Sequence, residues 1–213
     1  MIPLNAVYSV MTLLMIPSGF AAAGITNVTR NLARDKHSFG FVDFIETIKK
    51  NWKQALIFGI LNVVLMAVML VGIWFYYWGL GLAAQLGLGM CLVALAVFSM
   101  MKYYVWVLMI TFDLPLKAIL RNSFYLVLLN IKNNLIVGTV SVAYYALLLF
   151  ILIMIPNPLT ISLEFLLSVM FFPGFKHLLV QYLVFPSVKK YIIDPYYEEH
   201  PDEDVEQRKD LHV

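Results

Sequence analysis

The feature that most restricts this chain is a long run of residues without charge. No Asp, Glu, Lys or Arg occurs between Lys53 and Lys102. A helix that crosses a bilayer needs about 20 mostly apolar residues, so this run is long enough for two spans. Of the 213 residues, 62% are hydrophobic and 13% are charged, whereas soluble domains carry about a quarter charged residues. The sequence therefore predicts an all-α, polytopic membrane protein.

Turn residues and the lengths of the apolar runs predict four membrane spans. Gly79-Leu80-Gly81 reads as a tight turn between the first two, and Pro156-Asn157-Pro158 ends the third. Pro173-Gly174 interrupts the fourth, because proline removes a helix hydrogen bond. The predicted spans are 55–78, 82–104, 135–155 and 161–185.

The first 29 residues are also free of charge, and they leave two alternatives open. Pro17 and Gly19 lie in the middle of this segment and predict a helix break. One alternative is a single kinked span with the N-terminus outside. The other is two short helices that form a broken hairpin, with the N-terminus inside. The total is therefore five to six membrane helices.

The distribution of positive charge predicts the orientation. Neither predicted turn, at 79–81 or 156–160, contains Lys or Arg, so both turns are expected outside and the C-terminus in the cytoplasm. The basic residues fall in three clusters: Arg30, Arg34, Lys36, Lys49, Lys50 and Lys53; Lys102, Lys117, Arg121 and Lys132; Lys176, Lys189, Lys190, Arg208 and Lys209.

Two segments on the predicted cytoplasmic side have the pattern of amphipathic helices. In residues 41–53, apolar residues recur at helical spacing between charged ones. The second segment starts at Asp113-Leu-Pro-Leu and has an apolar face that includes Ile119 and Phe124. Each helix could rest on the inner membrane surface or form a docking surface. The candidate docking residues are Lys49, Lys50, Lys53, Lys117, Arg121 and Asn122.

Lys102 is the candidate intramembrane functional residue, because a cation inside a span is a functional-site hypothesis by default. The alternative is that its side chain reaches the headgroups beside Tyr103 and Tyr104. The sequence has no P-loop, HExxH or GxSxG motif, and its four histidines lack metal-ligand spacing. We therefore expect no enzyme activity, no cofactor, no metal and no nucleic-acid partner.

The last 20 residues differ in composition from the rest of the chain. Residues 194–213 include eight acidic residues, and such a sequence cannot bury enough apolar surface to fold. The predicted organisation is a membrane-embedded helical domain at 1–193 and a disordered cytoplasmic tail at 194–213.

The order of these features resembles a known family. The broken first helix leads through Asn31-Leu-Ala-Arg-Asp35 into FVDFIETIKKNWKQA. TFDLPLKAILRNSFYLVLLNIKNN follows at 111–134, and FPSVKKYI at 185–192. In this order the chain is similar to the YesL-like family of small integral membrane proteins of bacteria, Gram-positive species especially. The resemblance covers nearly the whole chain short of the tail.

The resemblance implies a location in the bacterial plasma membrane and no established biochemical activity. Genes of this family often lie beside ABC-type carbohydrate uptake systems. By that association the resemblance implies a non-enzymatic accessory or regulatory role with a carbohydrate permease as partner. A small transporter or channel that acts on its own is the alternative function.

Overall fold

The structure is a computed structural model that describes residues 1–13, 18–35 and 40–199. The elements it describes are helical. In chain order they are α1 (Ile2–Leu13), α2 (Ser18–Ala33), α3 (Phe41–Tyr77), α4 (Leu82–Thr111), α5 (Leu116–Leu129), α6 (Ile131–Met154), α7 (Pro158–Met170), α8 (Phe172–Leu183), α9 (Phe185–Val188), a π-helical turn (Lys189–Ile193) and α10 (Asp194–Glu199).

Within the described ranges, four helical stretches are long and apolar enough to cross a membrane, and each contains most of one predicted span. The prediction of a multi-pass, all-α chain is confirmed at this level. The total of five to six membrane helices stays a prediction, because α1 and α2 have only 12 and 16 residues against the roughly 20 that a span needs. The four stretches are Phe41–Tyr77, Leu82–Thr111, Ile131–Met154 and Pro158–Tyr196.

The first segment forms two separate helices that pack on each other. Leu4 of α1 lies in one buried cluster with Ile25 and Val28 of α2. This arrangement matches the hairpin alternative rather than one kinked span. Pro17 falls outside the described residues, between the two helices. Gly19 is itself helical and lies in the first turn of α2.

Helix α2 lies at the centre of the molecule and contacts α1, α3, α4 and α8. Its small residues permit this close packing. A Cβ atom on Gly19 would lie 3.1 Å from the Cα of Gly59 in α3, and a Cβ on Gly24 would overlap the ring of Phe44. Small residues let helix backbones approach closely where lipid supplies no hydrophobic drive for association.

The first predicted amphipathic segment is not a separate helix. It forms the first part of the 37-residue α3, with Phe44 and Thr47 buried and the three lysines exposed. No Pro or Gly occurs between Phe41 and Phe58, so backbone hydrogen bonds continue from this segment into the span without a new nucleation step.

The second predicted amphipathic segment is a separate helix, α5. Ile119 of its predicted apolar face is fully buried. Phe124 is 43% exposed, whereas Ser123, Leu126 and Val127 are buried. The packed face is therefore rotated toward Ser123 relative to the prediction, because α5 packs against α4.

The predicted interruption of the last span is present as a break between α7 and α8. Pro173 lacks the N–H that would bond the carbonyl of Val169, and the Oγ of Ser9 donates to that carbonyl at 3.1 Å. Asn5 Nδ2 donates to the next carbonyl, that of Met170, at 2.8 Å. Polar side chains of α1 thus satisfy backbone groups that the break exposes, as a membrane environment requires.

The helical structure extends into the predicted tail. Helix α10 covers Asp194–Glu199, whereas the sequence predicts disorder there. The backbone N–H of Asp194 bonds the carbonyl of Lys189 in the preceding π-helical turn. The helix therefore propagates from existing turns and needs no nucleus of its own. The rest of the predicted tail, 200–213, lies outside the described residues.

Buried residues concentrate at one end of the long helices. In α3 they lie between Phe44 and Gly59, and in α4 they are Phe98 and 104–109. In α6 they are Asn134 and Val137. The remaining parts of these helices expose mostly apolar side chains, which lipid would cover in a bilayer. The protein-packed core thus lies at the end of the molecule that carries the basic clusters.

Candidate functional site

One hydrogen bond connects the two segments that carry the predicted docking residues. Gln54 Nε2, in α3, donates to the carbonyl of Leu114, just before α5, at 2.9 Å. This hydrogen bond joins the two backbone segments that carry the basic residues. Asn122, in contrast to them, is half-buried. The exposed members, Lys49, Lys50, Lys53, Lys117 and Arg121, are called the α3–α5 basic surface below.

Lys102 lies elsewhere, in a cavity between the helices. The cavity has a volume of about 190 Å³ and is lined by residues of α1, α2, α3, α4 and α8. Its polar lining includes Thr12, Asn62, Lys102, Lys176 and His177. These residues come from four different helices, so the cavity exists only in the folded molecule.

The Lys102 side chain points into the protein rather than along the helix toward its C-terminal end. Its Nζ lies 4.0 Å from the Sδ of Met66 and 5.8 Å from the ring centroid of Phe98. Side chains in an α-helix lean toward the helix N-terminus, and the N-terminus of α4 is at the turn after Tyr77. This direction is opposite to the one that the headgroup alternative requires.

Lys176 and His177 of α8 complete the positive side of the cavity. Lys176 Nζ lies 5.7 Å from the ring centroid of Tyr103, and the Lys102 and Lys176 ammonium groups are close enough to repel each other. From the sequence, Lys176 contributes only to the predicted orientation, and His177 has no predicted role. The signal that could have found both is a Lys-His pair inside a predicted span, directly after its interruption.

The His177 ring is held in a defined orientation. The Oγ1 of Thr26 donates its hydrogen to the carbonyl of Ala22 at 2.6 Å and lies 3.2 Å from His177 Nδ1. A hydroxyl has one hydrogen, so the tautomer with a proton on Nδ1 is the one that satisfies both contacts of Thr26 Oγ1. The ring of Tyr8 meets the His177 ring edge-on, with centroids 5.4 Å apart.

The charges around the cavity do not balance. Among the described residues that line it, none carries a carboxylate. The Oδ1 of Asn62 is buried and has no hydrogen-bond partner in the part of the chain that the structure describes. A buried charge or polar group without a partner costs free energy. The cavity therefore presents charged and polar groups to which a ligand could bind.

Arg30, by contrast, has a structural role at the end of α4. Its Nη1 donates to the carbonyl of Ile110 and to the Oγ1 of Thr111, both at 3.2 Å, and its Nη2 donates to Asn27 at 2.7 Å. A cation that bonds the last carbonyls of a helix also interacts favourably with the helix dipole. Arg30 thus joins α2 to α4.

The comparisons with known proteins give one finding. A family model described as "Protein of unknown function, DUF624" matches residues 1–73, which take in α1, α2 and most of α3. The chain has no match among curated proteins and none among solved structures. The N-terminal part of this helical, membrane-type chain is therefore similar to a family whose function is unknown.

Proposed function

We propose that the protein is a non-enzymatic, YesL-like component of the bacterial plasma membrane that assists or regulates an ABC-type carbohydrate uptake system. In this proposal the C-terminus is cytoplasmic, and the permease is the partner. The observation that carries the proposal is the α3–α5 basic surface. It lies at the protein-packed end of the bundle, where the positive-inside rule predicts the cytoplasm.

The packing of α5 supports docking on a protein. Ile119, Leu126 and Val127 are already buried within the bundle, so this helix does not need lipid to cover its main apolar face. The opposite face carries Lys117 and Arg121, followed at helical spacing by exposed apolar side chains such as Leu128. A face with charged residues beside apolar ones resembles the mixed surfaces of protein interfaces.

Anionic lipid is the competing explanation of this surface, because basic side chains near a membrane gain roughly 1 kcal/mol each from it. Charge reversal separates the two. We expect Lys117→Glu with Arg121→Glu to insert normally and to lose copurification with a coexpressed ABC-type carbohydrate permease. The matched control is Lys132→Glu with Lys190→Glu, which reverses two exposed charges outside the surface. Equal permease recovery from both variants and from the unchanged protein would contradict the proposal.

A second function, a small transporter or channel, is favoured by the cavity around Lys102. Intramembrane ionisable residues commonly mark solute pathways. Substrate flux into liposomes that contain only this protein would support the transporter. Flux that appears only when a permease is added would support the accessory role.

A further inference from the structure

We propose that the cavity between α1, α2, α3, α4 and α8 binds a phosphate ester that carries a hydroxyl group, with Lys102 and Lys176 as its cationic ligands. This proposal is independent of the docking surface, which lies on other residues. It assigns a binding site to a part of the molecule that the accessory role does not use.

Two lysines share a cavity whose described lining has no negative charge. Lys102 and Lys176 repel each other, and the described lining of their cavity has no carboxylate. Removing one partner from a buried pair is strongly destabilising because it leaves a charge uncompensated. Lys102 and Lys176 are half-buried, and the described lining of their cavity offers them no acid. An anionic ligand would supply the negative charge that this described lining lacks.

The hydrogen-bonding groups of the cavity indicate which kind of anion it binds. Each ammonium has three donors, so two of them suit a phosphate, which offers more acceptor oxygens than a carboxylate. Asn62 Oδ1 is instead a buried acceptor without a donor among the described residues. A hydroxyl on the ligand would satisfy it, and an alcohol group of a phosphate ester supplies that donor whatever the protonation state of the phosphate.

The volume of the cavity and the position of Lys102 along α4 agree with such a ligand. At about 30 Å³ per water molecule in the liquid, a volume of about 190 Å³ suits a small ester such as glycerol phosphate. Lys102 follows Leu82 by 20 residues, or about 30 Å along the helix. That length equals the hydrocarbon thickness of a bilayer. The Lys102 backbone therefore lies near the inner edge of the hydrocarbon, and its side chain leans from there into the protein.

The same glycerol phosphate chemistry has two sources, the headgroup of an anionic phospholipid and a soluble ester. The experiment tests the two sources separately. Protein in phosphatidylcholine nanodiscs is titrated with glycerol 3-phosphate by calorimetry, with glycerol and inorganic phosphate as controls. In the second arm, native mass spectrometry counts the phosphatidylglycerol molecules that remain bound to protein released from mixed nanodiscs.

The variant that tests the site is Lys102→Met with Lys176→Met. It should lose roughly tenfold or more in affinity for the ester or the lipid, because it removes charge-assisted hydrogen bonds. The matched control, Lys132→Met with Lys190→Met, removes two exposed charges that lie outside the cavity and outside the α3–α5 basic surface, and it should bind like the unchanged protein. Asn62→Asp is an independent variant that supplies the missing carboxylate. It should raise the unfolding temperature without ligand and abolish binding.

The outcomes are distinct. Binding of glycerol 3-phosphate that the cavity variants lose supports a soluble ester, and selective retention of phosphatidylglycerol that they lose supports a lipid. The proposal is overturned if neither compound binds the unchanged protein. It is also overturned if the surface control and the cavity variants lose affinity equally, because surface charge alone would then explain binding.

Discussion

At the scale of single residues, Gly19 shows how one side chain decides the packing of two helices. The sequence predicts it as part of a helix break. In the structure it lies where α2 crosses α3, so close to Ala55 and Gly59 that a Cβ would collide with the α3 backbone. The absence of a side chain is what this position requires.

We therefore expect Gly19→Ala to lower the free energy of unfolding by about 1–3 kcal/mol, the usual cost of overpacking. Helix propensity alone predicts the opposite sign, because Ala is favoured over Gly by about 1 kcal/mol. The control is Gly89→Ala, since a Cβ at Gly89 meets nothing within 4 Å. Thermal unfolding in detergent measures both variants, and equal stabilisation of the two would contradict the close-packing interpretation.

At the scale of elements, buried polar side chains join helices that lipid alone would not hold together. The hydroxyl of Tyr104 in α4 donates to Asn134 Oδ1 in α6 at 2.8 Å and accepts from Asn130 Nδ2 at 3.2 Å. Asn134 Nδ2 in turn donates to the carbonyl of Val127 in α5 at 3.1 Å. This network connects three helices at the packed end of the molecule.

Tyr104→Phe removes the donor from the network and leaves Asn134 Oδ1 buried without one. We expect a loss of about 1–2 kcal/mol in unfolding free energy, within the range for an unsatisfied buried group. Tyr144→Phe is the matched control, because the Tyr144 hydroxyl is buried without a hydrogen-bond partner among the described residues. That variant keeps the stacking on Phe172 and should be neutral or stabilising. The same unfolding assay compares them, and equal losses would refute the role of the network.

At the scale of the whole molecule, the packed core and the basic residues share one end. The other end consists of helices whose apolar side chains face outward, up to the exposed aromatic group at Trp74–Trp78. Aromatic side chains of this kind are enriched at membrane interfaces. The distribution supports an orientation with the turns at 79–81 and 156–160 on the outer side.

Cysteine labelling tests this orientation. In a Cys91→Ser background, we expect Leu80→Cys and Leu159→Cys to react with an impermeant thiol reagent in intact cells. Both positions are highly exposed, at 97% and 70%, so failure to react is informative. Glu46→Cys and Lys132→Cys are exposed positions of the other end and should react only after permeabilisation. The reverse pattern would invert the topology.

Much of the fold could be predicted from local sequence alone. The start of α4 at Leu82 and the end of α6 at Met154 agree with the predicted spans within a residue, because glycine and proline act on the backbone where they stand. The start of α3 could not be predicted, since nothing in the pattern of residues 41–53 shows whether the helix continues. The pairing of α1 with α2 could not be predicted either, because it depends on contacts between residues that are distant in the sequence.

Of the candidate site, sequence alone identified Lys102, because an intramembrane charge is expensive in any fold. The sequence could not show that Lys176 and His177 line the same cavity as Lys102. The distance along the chain between Lys102 and these two residues carries no information about which helix faces meet. Hydropathy and charge determined that this chain has helices long and apolar enough to cross a membrane, since those properties depend only on local composition. The tertiary structure alone decided which polar side chains meet, because that follows from how α2 and α8 pack against α4.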